Sequence, residues 1–101
     1  MEKLKIGTHE FDLVAMGISE DIPNKTRSFK VVKSLEFEAM KTAVTEGMSK
    51  IDHIGEDGKI ITSYTDCTVL KSLQWGSDGT QDTYTIVLST DASLGELRAL
   101  Q

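Results

Sequence analysis

SLEFEAMKTAVTEGMSK, residues 34–50, is the stretch whose reading decides the fold. Phe37, Met40, Val44, Met48 and Ile51 recur at three- and four-residue spacing, so they line one face of a helix from about Ser34 to Lys50. Lys41 and Thr45 fall on the opposite, solvent side. The Ser34 hydroxyl is positioned to accept from an orphan N–H of the first turn. Glu36 and Glu38 sit early and Lys50 late, as the helix dipole favours. Gly47 costs the helix about 1 kcal/mol relative to alanine. Its presence implies either close approach to a neighbouring element or an early helix end.

On both sides of this helix the apolar residues alternate with polar ones, which is the pattern of half-buried strands. Upstream, Lys3-Leu4-Lys5-Ile6 and Glu10 to Met16 flank Gly7-Thr8-His9, a first hairpin. Gly17 to Thr26 holds the only proline, Pro23, and reads as a loop or the bend of a second hairpin. Arg27 to Lys33 reads as a strand through Phe29, Val31 and Val32.

Downstream, Ile51–Ile54 and residues 59–64 flank Gly55-Glu56-Asp57-Gly58, a strong hairpin signal. Cys67, Val69, Leu73 and Trp75 share the parity of one strand face, interrupted by Lys71, and Trp75 is expected to plug the core. A turn at Gly76-Ser77-Asp78-Gly79 leads to a last strand with Tyr84, Ile86 and Leu88 on one face. Ser93-Leu94-Gly95-Glu96 has capping-box spacing, so the tail from residue 91 is expected to be either a short helix bearing Leu94, Leu97 and Leu100 or a frayed end. The elements add up to one α+β domain over residues 1–101: an antiparallel sheet or small β-roll of about five to seven strands packed on one central helix.

The 101 residues suffice to bury a core without metal or disulfides, and 39% hydrophobic with 27% charged residues is an ordinary globular composition. The formal net charge of −5 argues against a protein that neutralises phosphates, so no direct nucleic-acid binding is expected. It suits solubility, or a partner with a basic surface. The single Cys67 excludes a disulfide within the chain. No apolar run resembles a signal peptide or a spanning helix, so the expected setting is a cytoplasm, without membrane contact.

Candidate chemistry is sparse. His9 with Glu10 and Asp12, and His53 with Asp52, Glu56 and Asp57, lack an established ligand spacing and are expected to be turn-surface histidines. Convergence of both clusters would be needed for an enzyme or metal site. Cys67 lies beside Asp66, the wrong charge to activate a thiolate, and reads as a buried structural thiol. The Gly55–Gly58 turn lacks the lysine and helix of a phosphate loop. No catalytic residue, cofactor or metal is therefore expected.

Four stretches carry a resemblance: Ser34-Leu35-Glu36-Phe37-Glu38, Gly55-Glu56-Asp57-Gly58-Lys59-Ile60, the run from Tyr64 to Leu73, and Tyr84-Thr85-Ile86-Val87-Leu88. In order and residue type the chain from Lys3 to Ser89 resembles small uncharacterised proteins of phages and prophages of Gram-positive bacteria, encoded near tail and baseplate genes. The resemblance implies a non-enzymatic virion or virion-assembly protein acting through protein–protein contacts, in the bacterial host cytoplasm and incorporated into the virion. It transfers no functional residues. The alternative is a phage-encoded, anti-CRISPR-like acidic inhibitor that blocks a basic host defence protein. Either would meet virion subunits, a host protein or further copies of itself through hairpin tips, strand edges and the tail. The candidate contacts are Trp75, Glu56, Asp57, Leu94, Leu97 and Leu100.

Overall fold

The computed structural model describes residues 1–77 and 79–91, and these form seven strands and one helix. The strands are β1 (Lys3–Ile6), β2 (His9–Asp21), β3 (Thr26–Val32), β4 (Ile51–Ile54), β5 (Ile60–Tyr64), β6 (Val69–Ser77) and β7 (Asp82–Ser89), with helix α1 (Phe37–Gly47) between β3 and β4. They form one antiparallel sheet in the order β5-β4-β1-β2-β3-β7-β6. The described residues are thus mostly β, with a single helix against the sheet. The expected terminal helix with Leu94, Leu97 and Leu100 falls outside the described residues.

Register follows hydrophobic parity. Leu4 faces Phe11, Ile6 faces Ile51, Phe29 faces Ile86 and Val31 faces Tyr84, and all of these side chains are buried. Directly opposed residues in an antiparallel pair project to the same side. They therefore build one concave apolar face, onto which Met40, Ala43 and Val44 of α1 pack. Burying each large aliphatic side chain contributes about 1.5–3 kcal/mol.

The helix is shorter than its sequence pattern at both ends. The Tyr84 hydroxyl donates to the Leu35 carbonyl at 2.8 Å, and the Lys33 N–H donates to the Asp82 carbonyl at 2.9 Å. These contacts hold the chain extended alongside β7 through Glu36, whose ψ is 159°. Ser34 therefore caps nothing. Glu36 takes the N-cap position, with no side-chain cap bond. Phe37 stays 42% exposed, edge-on to Tyr84 at 6.2 Å, rather than fully joining the core stripe. At the other end Gly47 closes the helix, and Lys50 gives its carbonyl to the Gly7 N–H at 3.0 Å.

The sheet curls strongly. β5 and β6 are its two edges, yet only residues 65–68 join them. At that end Tyr64 of β5 packs edge-on against Phe29 of β3, with ring centroids 5.4 Å apart. Arg27 lies over the Tyr64 ring, 4.6 Å from its centroid. It also binds Glu20 at 2.5 Å and Asp66 in the connecting segment. Cys67 lies buried in this connection, as its sequence context indicated.

β6 departs from the alternating reading. Its register shifts between Leu70 and Ser72, so Leu70 and Leu73 both pack against the core, around an exposed Lys71. Trp75 faces Tyr84 across the ladder but lies on the sheet edge and is 60% exposed, so it is not a core plug. No helix among the described residues is long and apolar enough to cross a membrane.

Candidate protein-contact site

The largest irregularity in the sheet is in β2. Leu13 faces Val31 and Ile18 faces Phe29, so Val14, Ala15, Met16 and Gly17 stand against Lys30 alone. The surplus chain bulges outward. Bulges of this kind re-aim side chains and recur next to functional sites. Met16 adopts φ of 57°, a left-handed conformation uncommon for an unbranched non-glycine residue, and its side chain is wholly exposed. Gly17 makes the bulge possible. A Cβ there would lie 2.7 Å from the carbonyl oxygens of both Lys30 and Val14.

Beside the bulge is a cleft of about 590 Å³. Leu13, Val14, Met16 and Ile18 form its apolar wall, and Glu2, His53 and Glu56 its polar one. The β1–β2 pairing continues one step outward, because the Leu13 N–H donates to the Glu2 carbonyl at 2.9 Å. That bond places the Glu2 side chain 2.5 Å from His53 Nε2. Glu56 projects from the β4–β5 turn and is paired at 3.8 Å with the amino group of Met1. Among the described residues lining this cleft there is no lysine or arginine.

The residues marked as contacts by sequence are scattered. Glu56 and Asp57 are exposed at the β4–β5 tip, where Asp57 accepts the Lys59 N–H at 3.0 Å and so shapes the turn. Only Glu56 reaches the cleft. Trp75 lies on the β6 edge near Phe37, since both neighbour Tyr84. Leu94, Leu97 and Leu100 lie outside the described residues. Further exposed apolar side chains are Ile22 at the β2–β3 turn and Ile60 and Ile61 on edge strand β5.

The histidines do not converge. His9 pairs opposite Ile6 on one side of β1, stacked on Phe11, while His53 pairs opposite Leu4 on the other side. His53 is on a strand and half-buried, not on a turn as expected. Among the described residues no group of three His, Cys, Asp or Glu is placed to hold a metal ion. The Cys67 thiol is pushed up from its ordinary value by burial and then by the charge of Asp66, which keeps it protonated and unreactive at neutral pH. Burial would lower the pKa of Arg27, but its hydrogen bonds to Asp66 and Glu20 and their charges outweigh that and hold it above its normal range.

Met16 and Glu2 were missed by sequence reasoning. One signal was present: Gly17 interrupts an otherwise apolar run from Leu13 to Ile18, and an isolated glycine inside a strand pattern marks a bulge. Glu2 and His53 meet only through the β1–β4 pairing, across a sequence separation that carries no local pattern. No protein-family model, curated protein or solved structure matches this chain.

Proposed function

We propose that this protein is a non-enzymatic virion or virion-assembly component, tail- or baseplate-associated, that works by binding other proteins. The observation that carries this reading is the β2 bulge, which holds the apolar Met16 wholly in solvent at φ of 57°, next to a Gly17 where a Cβ would meet two backbone carbonyl oxygens. A side chain that contributes nothing to the core, held at a conformational cost, is accounted for when a partner covers it. Trp75 and Ile22 add exposed apolar anchors on an edge and a hairpin tip, where docking is sterically simplest. Mass spectrometry of purified virions and assembly intermediates tests the reading. Stoichiometric recovery supports it, and absence from both sinks it.

The alternative, an inhibitor of a basic host defence protein, draws support from Glu2, Glu56 and Asp57 lying around one corner of the sheet. It predicts capture of such a protein from host lysate and inhibition of its nuclease activity. A protein that captures nothing and inhibits nothing leaves the assembly reading alone.

A further inference from the structure

We infer that the cleft beside the β2 bulge is the docking site for a protein segment that carries an apolar anchor flanked by lysine or arginine. The inference rests on the reading of this protein as a contact module and names the chemistry of its partner.

The cleft is asymmetric in a way that selects its occupant. The aliphatic wall of Leu13, Val14, Met16 and Ile18 can bury one branched or aromatic side chain. Opposite it stand two carboxylates, Glu2 and Glu56, with no lysine or arginine among the described lining residues. His53 faces Glu2 from within, and the Met1 amino group lies 3.8 Å from Glu56. An acidic segment would set like charge against these carboxylates, whereas a cationic one would replace the hydration they lose by charge-assisted hydrogen bonds, beyond those that His53 and the Met1 amino group supply. The overall charge of −5 steers encounter with the same class of partner.

The wall itself is adaptable. Methionine is unbranched and polarizable and fits anchors of differing shape. With its backbone fixed by the bulge and its side chain free in solvent, Met16 is placed to fold over whatever enters. Because the distortion lies in β2 rather than in the hairpin tips, the wall stands on chain anchored on both sides, by the β1 ladder before it and the β3 ladder after it.

Methyl-labelled full-length protein titrated with Ac-Gly-Lys-Leu-Lys-Gly-amide tests the inference. Saturable shifts confined to the methyls of Val14, Met16 and Ile18 are expected, weakening as salt rises. The same peptide with glutamate in place of lysine, or with glycine in place of leucine, is expected to produce none. Glu2→Gln combined with Glu56→Gln should weaken binding roughly tenfold. Met16→Ser, which alters a fully exposed side chain and leaves the fold alone, should also weaken it. Equal shifts with the glutamate peptide, shifts mapping elsewhere, or no saturation overturn the inference. The two carboxylate substitutions also separate it from the broader reading. Wild-type recovery in virions with undiminished recovery of the double variant removes the cleft and keeps the assembly role. Wild-type absence removes the assembly role itself.

Discussion

Gly7 and Gly47 meet backbone to backbone: a Cβ on Gly7 would lie 2.8 Å from the Cα of Gly47, and one on Gly47 would lie 2.8 Å from Gly7 N. Gly7, in a left-handed turn at φ of 61°, joins β1 to β2, and Gly47 ends α1. The contact lets the helix settle on the sheet near strand β1. It also explains why a poor helix former occupies a helical position.

Gly47→Ala is therefore expected to destabilise, although helix propensity alone predicts a gain of about 1 kcal/mol. The new methyl meets backbone, which cannot rotate aside, and overpacking of this kind costs about 1–3 kcal/mol or more. A lower urea midpoint shows the clash winning, whereas a higher one means that the helix end shifts at no cost. Thr42→Ala, on the exposed side of α1, supplies the control and should be neutral or slightly stabilising.

Much of this fold was legible in sequence, because parity and turn chemistry are local. The hairpins at Gly7-Thr8 and Gly55–Gly58, the core stripe of Met40 and Val44, and the close-approach reading of Gly47 all follow from neighbouring residues. The failures share one cause. Ser34 lost its cap role to a bond between Leu35 and Tyr84, residues distant in the chain. Trp75 keeps the parity of Leu73, opposite buried Tyr84, but on an edge strand no further strand among the described residues covers it. The candidate site was less legible still, since among the described residues only Glu56 of the sequence-marked contacts lines the cleft.

Arg27 serves as the latch of the curled sheet, holding Glu20, Asp66 and the Tyr64 ring at once. Lysine cannot reproduce the fork or the stacking. Both carboxylates are about half-exposed, so solvent screens each pair and neither counts as a buried bridge. Arg27→Lys should therefore cost about 1–2 kcal/mol in urea unfolding, less at high salt. A double-mutant cycle with Asp66→Asn should show coupling, and strict additivity would remove the latch.

The raised Cys67 thiol gives a pH signature. Its charged form is disfavoured in the folded state, so the stability linked to it is fully present below the ordinary thiol value of about 8.5. That stability is lost as pH rises through the higher folded value. Urea midpoints of wild type and Cys67→Ala, measured from about pH 8 to about pH 10, should differ in slope, with wild type falling faster. Parallel slopes would mean that the thiol does not titrate differently on unfolding. Folded protein should also resist iodoacetamide at neutral pH until urea exposes the thiol.

Val44 is fully buried between α1 and the sheet. Val44→Asp places an unpaired carboxylate there, one of the few changes expected to exceed about 4 kcal/mol. Total stability for a small domain is about 5–15 kcal/mol. Far-UV circular dichroism at neutral pH should show a largely unfolded chain, and a cooperative native transition would contradict the packing described.

Met16→Gly separates stability from function at the bulge. Methionine holds φ of 57° against steric cost, and glycine adopts it freely. A residue in this region stores about 1–2 kcal/mol. The Met16 side chain is wholly exposed, so its removal forfeits no packing. Glycine loses more backbone entropy on folding, which returns about 0.5–1 kcal/mol of the gain. The net expectation is a rise in stability of up to about 1 kcal/mol, together with weaker binding of the lysine-flanked leucine peptide. A side chain retained at that cost for a partner predicts both changes at once. Greater stability with unchanged peptide affinity would make the methionine incidental, and lower stability would mean that its conformation is held by contacts beyond the bulge.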